Sequence, residues 1–499
     1  MDRLTGTDTS HVQTRKKLTE FIKDLRLVDV WREKNPNKKD FSCHSSTYKT
    51  YSRIDYFLIS VELLVNVTNC WYDSIVISDH AAASMEICLG MFAQHSQRWR
   101  FQVYWLQDPS FLKFIGACID NYFLLNTDET TASVRWEAFK AYIRGEVIKY
   151  TSSKTKKNKK EMQTLEGQIK TLELDLYENN DEDKQHQLTV MRAEYNKLTT
   201  DKVAKNLLWT KQAYYDQGEK PSKLLAWRVK KMQAERTINN IKTTSGDLTT
   251  DPIEINATFR NFYELLYKSE YAGATQQQAF LDQLQFQSLS EDEKEALDGT
   301  LTVEDLYDAM SSMNSGKAPG PDGIPIEFYK KFKQKLAQPL LDMFNESYKT
   351  GTLPPSLRLA MITVILKPDK SPTSCSSFRP ISLMRCDTKI LCKALSKRLE
   401  QYLPQLVSND QNGFILQRQG FHNIRRVLNV LFEKNNAKDT AMLSVDASQA
   451  FDRIEWKYLF DLLPRYGLGE TFLKWIKLLY TNPTAEILTN NTISKPFSL

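Results

Sequence analysis

The sequence is poor in cysteine for its length, and its cysteines are not spaced for a compact metal or redox motif. The seven cysteines among 499 residues include no CxxC pair, so no zinc ribbon is predicted, and their odd number favours a reducing compartment. No run of 18 apolar residues occurs, so neither a membrane span nor a membrane partner is expected. The N-terminal segment lacks the apolar stretch of a signal peptide. We therefore expect an intracellular protein of the cytoplasm and nucleus.

An excess of charge of one sign is also lacking. The formal net charge of +6 is small for this length, which excludes a histone-like polycation but permits local basic surfaces that bind phosphate backbones. Hydrophobic residues make up 41% of the chain and charged residues 26%, which is ordinary globular composition. The length predicts three or four domains at roughly 100–200 residues each.

Glycine and proline are scarce between Leu89 and Lys242, so helices are expected to dominate there, after a mixed α/β pattern in residues 1–88. Two apolar stripes at helical spacing flank the polar segment ENNDEDK and predict an antiparallel helical hairpin near residues 160–203. The stripes are Leu165, Ile169, Leu172 and Leu176, and Leu188, Met191, Tyr195 and Leu198. The basic run Lys154–Lys160 is either a solvated helix face or a surface that binds nucleic-acid backbone.

The last 250 residues predict a mixed α+β, helix-rich fold. Residues 250–300 have the pattern of a linker with short helices. A helix capped by Thr302 is then expected, followed by a tight Gly/Pro loop at Ser315–Pro325 and a helix that ends at Gly351. Apolar strands are predicted at Met361–Leu366 and Ala441–Ala447, and helices at Thr388–Tyr402 and Phe421–Glu433.

The segment SVDASQAFDRIEW places a carboxylate, Asp446, at the end of the second predicted strand, with a helix expected to begin nearby. A carboxylate held on a rigid element suits Mg²⁺. Nucleotidyl transfer needs two such ions about 3.5–4 Å apart, and one aspartate cannot hold both. From the residues alone, Asp446 is equally well an N-cap for the helix, and Phe451 a core residue.

SVDASQAFD resembles motif A of reverse transcriptases. The resemblance implies that Asp446 is a catalytic Mg²⁺ ligand and that the carbonyl of Ala447 is a further metal ligand. It also implies that Phe451 rejects a ribose 2′-hydroxyl, whereas Asp452 serves the fold. Upstream, KAPGPDGIP, ILKPDKSP and RPISL follow one another as in the LINE-type (non-LTR) enzymes.

The same resemblance assigns basic residues to the incoming nucleotide. Lys367 and Arg379 would grip the triphosphate of a deoxynucleotide, a task that suits a point charge and a bidentate fork. The alternative is surface charge beside a loop. The segment QNGFILQRQGFHNI is similar to the block that lies along the template in this family. There Gln411, Asn412, Gly413 and Phe414 open the motif, and Arg418 would contact the backbone.

No two aspartates are adjacent in the chain, although the family completes its metal site with an Asp-Asp pair. We therefore expect incomplete fingers and palm, no polymerase activity from this chain alone, and Mg²⁺ as the cofactor of the intact family.

LVDVWREKNP, SRIDY and SDH, in this order, resemble the C-terminal third of the exonuclease–endonuclease–phosphatase fold. On that resemblance Asp55 orients His80, His80 contacts the scissile phosphate, and Asp79 lies near the metal or the attacking water. From the residues alone, the simpler interpretation of His80 is an ordinary surface histidine. The resemblance implies a partial nuclease sandwich that lacks its upstream ligands, so we expect residues 1–88 to be an inactive and incompletely folded remnant.

Aromatic residues alternate with cations in residues 204–241, a pattern that suits RNA as well as ordinary packing. The candidates for RNA contact are Lys220, Lys223, Arg228, Lys230 and Lys231. The expected domains are an endonuclease remnant (1–88), a helical linker (89–300), fingers with an N-terminal extension (301–440) and the start of a palm (441–499). The expected partners are template RNA, target or primer DNA and deoxynucleotides; the alternative is a non-catalytic RNA/DNA-binding fragment.

Overall fold

The structure is a computed structural model of residues 1–499. It describes residues 12–45, 50–75, 79–88, 98–126, 130–178, 181–210, 237–271, 274–432, 442–447 and 449–499. The chain divides into two compact units: unit one contains residues 1–94 and 149–222, and unit two contains residues 95–148 and 223–499. In the described part of the chain, no helix has the length and apolar character needed to cross a bilayer.

Unit one begins with short elements that pair locally. They are α1 (Val12–Asp24), β1 (Leu27–Asp29), α2 (Val30–Lys34), β2 (Cys43–Ser45), β3 (Thr50–Ser52), β4 (Leu58–Ser60), β5 (Val67–Tyr72) and β6 (Ala83–Ile87). Within its described residues the strands form three antiparallel ribbons, β1–β4, β2–β3 and β5–β6, and no larger sheet. Val30 and Trp31 are the centre of a buried cluster with Phe41, Val67 and Tyr72, so this region has a core of its own.

Two long helices complete unit one. They are α4 (Ala132–Glu178), which enters this unit at residue 149, and α5 (Glu182–Thr210). Tyr195 donates a hydrogen bond to Glu166 at 2.5 Å, and Arg192 donates to Glu173 at 2.7 Å. The later residue of α5 thus contacts the earlier residue of α4, and the two helices therefore run antiparallel.

Unit two is mainly helical around one sheet. Its elements are α3 (Pro109–Leu125), the start of α4, β7 (Ile241–Lys242), β8 (Leu248–Thr249), α6 (Pro252–Leu266), α7 (Ala274–Asp282), α8 (Glu291–Leu297), α9 (Val303–Ser312), α10 (Ile326–Lys331), α11 (Lys333–Thr350), α12 (Pro355–Arg358), β9 (Leu359–Leu366), β10 (Phe378–Leu383), α13 (Cys386–Glu400), α14 (Leu403–Leu406), α15 (Phe421–Phe432), α16 (Trp456–Leu462), α17 (Glu470–Leu479), β11 (Thr484–Thr489), β12 (Thr492–Ile493) and β13 (Phe497–Ser498).

The sheet of unit two has the order β10-β9-β11-β12, with β13 also on β11. Strands β9 and β10 are antiparallel, with Phe378 opposite Leu366, and β11 runs parallel to β9. Helix α6 packs against this sheet. Its residues Ile255, Phe259 and Tyr263 recur every four positions, so they lie on one face of the helix, and all three are fully buried in a cluster with strand residues. Residues 250–300, where a linker with short helices was expected, thus supply a core helix of unit two, α6.

Several local predictions are confirmed. Thr302 caps α9 in a capping box with Asp305, and Gly351 ends α11 at φ 75°. Helices α13 and α15 lie where they were predicted.

The strand predicted at Ala441–Ala447 was wrong. Residues Met442–Ala447, the described part of that segment, form no strand. Leu443 and Val445 keep 86% and 81% of their surface exposed. An apolar run becomes a strand only when another strand edge supplies partners for its backbone groups.

A buried ionic cluster joins three segments of unit two. The Lys140 ammonium lies 2.6 Å from an Asp387 carboxylate oxygen and 2.8 Å from one of Asp322. The Trp136 indole also donates to Asp387, at 3.2 Å. Burial acts to lower the pKa of Lys140, but the two carboxylates outweigh it and raise that pKa. The start of α4, the Gly/Pro loop and α13 are thereby fixed to one another.

Candidate nucleotide-binding cleft and histidine cluster

Unit two contains a cleft of about 1480 Å³ beside the sheet. It is lined by the end of α6 and the following residues up to Tyr271, by Ile362 and Ser382 of β9 and β10, and by the segment from Phe451 to Lys457. Strand residues and a predicted site residue therefore share one cavity.

The segment after Phe451 is fixed by residues that precede it by about 185 positions. The Tyr267 hydroxyl is 3.2 Å from Asp452, and the Ser269 hydroxyl donates to Glu455 at 2.7 Å. Burial and the neighbouring Asp452 raise the pKa of Tyr267, so this hydroxyl stays protonated and donates. Sequence reasoning expected Asp452 to serve the fold, but gave no signal for Tyr267 or Ser269.

Two aromatic residues taken from separate motifs meet at this cleft. The rings of Phe414 and Phe451 are 6.0 Å apart in an edge-to-face arrangement, although 37 positions separate them in sequence. Both are well exposed, at 89% and 81%. Of the predicted nucleotide-binding residues, Phe451 is the one that lines the cleft.

The predicted phosphate-binding cations lie at one end of the β9–β10 hairpin. Lys367 follows β9, and its ammonium donates to the carbonyl of Ser376 at 2.8 Å. Arg379 is exposed and stands opposite Ile365. Because successive strand side chains alternate between faces, Arg379 lies on the face opposite to Ser382, which lines the cleft. The structure therefore places both cations near each other, but not in the cleft with Phe451.

Asp446 and Ala447 are exposed in the segment that forms no strand, and neither lines the cleft. Among the described residues, the group of three possible metal ligands is Cys43, Asp79 and His80. Asp446 thus has no second and third carboxylate around it in the described part of the chain.

The predicted template segment forms a compact turn held by Arg418. Its guanidinium donates to the carbonyls of Pro404 and Ser408 at 2.6 Å and of Gln411 at 2.9 Å. Asn412 is buried and donates to Asn423 in α15. The side chain of Gln411 donates to the carbonyl of Gly413 at 3.2 Å. Arg418 therefore stabilises its own loop, and Phe414, at φ 63°, is the most exposed side chain of the motif.

The Gly/Pro loop Ser315–Pro325 is fixed by residues that sequence reasoning did not select. Arg98 donates to the carbonyls of Pro321 and Pro319, at 3.3 and 3.4 Å. A side chain at Gly323 (φ 76°) would lie 2.3 Å from the Trp99 carbonyl oxygen, so only glycine fits. Arg98 precedes the loop by more than 220 positions, so no local sequence pattern predicts that it binds these carbonyls.

In unit one the structure brings together the predicted acid and histidine. His80 Nδ1 lies 2.8 Å from Asp55 Oδ2. The backbone amide of Asp55 donates to the Ser42 hydroxyl at 3.1 Å, and its carbonyl accepts from the Tyr72 hydroxyl at 2.6 Å. Asp79 adjoins His80, and Cys43, which sequence reasoning did not select, completes the group. Burial, Asp79 and Asp55 together raise the pKa of the Cys43 thiol.

The candidates for RNA contact, Lys220, Lys223, Arg228, Lys230 and Lys231, lie outside the described residues.

Residues 365–498 match the family model for reverse transcriptase (RNA-dependent DNA polymerase). This stretch begins in β9 and includes β10, the segment around Phe414, Asp446 and the region of the cleft that contains Phe451.

Curated relatives include proteins of mobile elements. The chain is 26% identical over 485 residues to the Transposon TX1 uncharacterized 149 kDa protein of Xenopus laevis, covering 96% of this chain and 37% of that protein. It is 29% identical over 157 residues to the RNA-directed DNA polymerase from mobile element jockey of Drosophila funebris, covering 31% of this chain and 17% of that protein. The probable RNA-directed DNA polymerase from transposon BS of Drosophila melanogaster is 27% identical over 188 residues, or 35% and 20% of the two chains. The chain thus spans about a third or less of the length of these relatives.

Proposed function

We propose, from the premise that this chain is an ORF2-like protein of the LINE type with a reverse-transcriptase domain over residues 365–498, that it contributes to RNA-directed DNA synthesis by a non-LTR retrotransposon. Its substrates are deoxynucleotides, and its partners are a template RNA and a DNA primer.

The observation that carries this proposal is the meeting of Phe451 with Phe414 at the mouth of the cleft. One ring belongs to the motif-A segment, which handles the incoming sugar in the family, and the other belongs to the segment that lies along the template. A polymerase needs these two functions side by side, because the incoming nucleotide pairs with the template base. A protein that only binds nucleic acid through basic residues would not require these two motifs to lie side by side.

Mg²⁺ is the proposed cofactor, since bound metal ions lower the pKa of the attacking hydroxyl and neutralise the leaving pyrophosphate. In the described residues Asp446 belongs to no group of three possible metal ligands, so these residues do not by themselves form a two-metal site. The part that we propose this chain supplies is positioning, through the cleft that accepts the sugar and Phe451 beside it. Lys367 and Arg379 remain the proposed phosphate-binding cations, although the structure places them outside this cleft, at the end of the β9–β10 hairpin.

Primer extension tests the proposal. A DNA primer annealed to an RNA template is incubated with deoxynucleotides and Mg²⁺ and with one of two proteins, which are the 499-residue chain and any longer product of its reading frame. We expect the 499-residue chain to bind the hybrid without extending it. We expect the longer product to extend it and Asp446→Ala to reduce the rate by about 10³-fold, as loss of several kcal/mol of metal-mediated stabilisation implies.

The matched control is Asp308→Ala, which removes an exposed carboxylate of α9 paired with Lys397 and should leave the rate unchanged. Extension that tolerates Asp446→Ala would refute the role of this aspartate. Hybrid binding that weakens with salt but never leads to extension would favour the second candidate, a non-catalytic nucleic-acid-binding protein. The exposure of Asp446 outside the cleft lining is the observation that favours that candidate.

We further propose that Asp55, Asp79 and His80 descend from an endonuclease of the exonuclease–endonuclease–phosphatase type. The 2.8 Å contact between His80 and Asp55 supports this origin, because a carboxylate that orients an imidazole suits phosphate chemistry. Nicking of supercoiled plasmid tests it, and we expect none. Mg²⁺-dependent nicking abolished by His80→Ala would show instead that the site is active.

A further inference from the structure

The backbone of unit one holds Cys43, Asp79 and His80 in fixed register. Cys43 and His80 form an isolated antiparallel bridge. The amide of His44 donates to the carbonyl of Asp79 at 2.8 Å, and the amide of Ala81 donates to that of Ser42 at 2.7 Å. Residues directly opposite each other in such a pair have Cβ atoms about 4.5–5.5 Å apart. The thiol and the imidazole are therefore neighbours because of main-chain bonds, and not through the chance rotation of two surface side chains.

The three side chains present a mixed ligand set. The Cys43 sulfur, a ring nitrogen of His80 and a carboxylate oxygen of Asp79 all lie within 4.8 Å of one another. Zinc bonds of about 2.0–2.3 Å in a tetrahedron place ligand atoms roughly 3.3–3.8 Å apart. Small side-chain rotations are enough to close the remaining difference. A thiolate with an imidazole selects Zn²⁺ over Mg²⁺, which prefers oxygen ligands alone.

Asp55 supplies the outer contact that such a site requires. Zinc-binding histidines donate through one ring nitrogen to a carboxylate and coordinate through the other. His80 Nδ1 is 2.8 Å from Asp55 Oδ2, which leaves coordination to Nε2. Asp55 is itself anchored through its backbone by Ser42 and Tyr72, so the imidazole is oriented in advance. Two anionic ligands then balance the charge of the ion.

We propose that Cys43, Asp79 and His80 form a Zn²⁺ site with Asp55 as a positioning residue and with the fourth coordination position open to solvent. Asp79 and His80 are exposed, so the ion is reached directly from water. The site ties β2 to the segment that leads into β6. The site lies in unit one, and the proposal of a Zn²⁺ site does not depend on the polymerase proposal.

Cobalt substitution tests this site in the full chain. The protein is stripped with a chelator, kept reduced with a phosphine and titrated with Co²⁺, which reports thiolate ligation by a charge-transfer band. We expect saturation of that band at one equivalent, tetrahedral ligand-field bands, and displacement by stoichiometric Zn²⁺. Cys43→Ser should abolish the charge-transfer band. Asp55→Asn should weaken binding about 10- to 100-fold while the band persists, as expected for an outer contact.

The matched control is Cys88→Ser, which removes an exposed thiol outside the group and should leave the titration unchanged. His80→Gln and Asp79→Asn alter exposed side chains, so loss of affinity in those variants with an unchanged circular dichroism spectrum cannot be ascribed to unfolding. A charge-transfer band that survives Cys43→Ser, or the absence of any such band in the unaltered chain, would overturn the proposal.

Discussion

The two sites predicted from sequence differ in how far the structure assembles them. In unit one, main-chain bonds hold Asp79 and His80 against the residues around Cys43, and His80 contacts Asp55 through its side chain. In unit two, Phe451 and Phe414 meet at the cleft, but Asp446 is exposed in a segment without strand pairing. The sheet of unit two is nevertheless well packed against helix α6, so the framework of that unit is present although the segment of Asp446 is exposed.

An apolar segment before a carboxylate is therefore not enough to place that carboxylate in a catalytic site. The acid–histidine pair is held by tertiary contacts: the Ser42 and Tyr72 hydroxyls bind the backbone of Asp55, and the backbone of His80 is bridged to Cys43. Asp446 depends on a strand edge and on further ligands, and among the described residues it belongs to no group of three possible metal ligands. The framework of a site and its metal ligands are thus separate requirements, and the following experiments probe each.

The largest effect is expected at the framework of unit two. Lys140→Met leaves the buried carboxylates of Asp387 and Asp322 without their cation, which should lower the free energy of unfolding by about 3–5 kcal/mol. Urea unfolding followed by tryptophan fluorescence measures this. Lys335→Met is the control, since its pair with Asp120 is exposed and is worth about 0–1 kcal/mol. Equal losses in both variants would contradict the role of the cluster.

A smaller effect is expected at the cleft. Phe451→Ala removes the ring beside the proposed sugar position and should raise ribonucleotide use relative to deoxynucleotide use by roughly 10- to 200-fold, the range for one steric contact. The ratio of ribonucleotide to deoxynucleotide use is measured by competitive incorporation, with a longer protein product of this reading frame that extends a primer. Phe280→Ala, an exposed phenylalanine of α7 outside the cleft lining, should leave it unchanged. Unaltered discrimination in Phe451→Ala would place the sugar elsewhere.

The smallest effect is a pH dependence at the capping box of α9. Burial acts to raise the pKa of Asp305, but hydrogen bonds from Arg398 and Thr302 outweigh it and lower that pKa. A lowered folded-state pKa stabilises the fold above the unfolded value of about 3.9, and this stabilisation is lost as pH falls through the folded value. Asp305→Asn should therefore lose stability at pH 7 and approach the unaltered chain in acid.

Denaturant unfolding at several pH values follows this trend. Asp308→Asn, on the same helix and 74% exposed, is the control and should differ little from the unaltered chain throughout. A stability loss in Asp305→Asn that is independent of pH would mean that the carboxylate acts only as a cap.

Sequence reasoning located much of the fold where the signals are local. The capping box at Thr302, the helix end at Gly351 and the strand Met361–Leu366 depend on residues within a few positions of one another, and the structure contains each of them. The same reasoning expected short helices in residues 250–300, but not that the helix Pro252–Leu266 is buried against the sheet.

For the candidate site, the order of motifs predicted which segments matter, but not their mutual placement. Nothing near Arg379 in sequence tells which face of the hairpin borders the cleft. Nothing near Tyr267 indicates that it contacts Asp452. Such contacts join positions nearly 200 residues apart, and hydrophobic periodicity does not report on them.

Sequence alone left His80 either a surface histidine or a partner of Asp55, but it was enough to predict the local caps and turns and the order of the motifs that resemble a reverse transcriptase. These depend on residue types at short spacings, which fix backbone preference and chemistry without reference to distant parts of the chain. Only the tertiary structure decided that Cys43 joins His80 and Asp79, that Lys140 is buried between two carboxylates, and that Asp446 stays exposed. Those outcomes depend on which surfaces meet, because burial and backbone pairing are properties of neighbours in space.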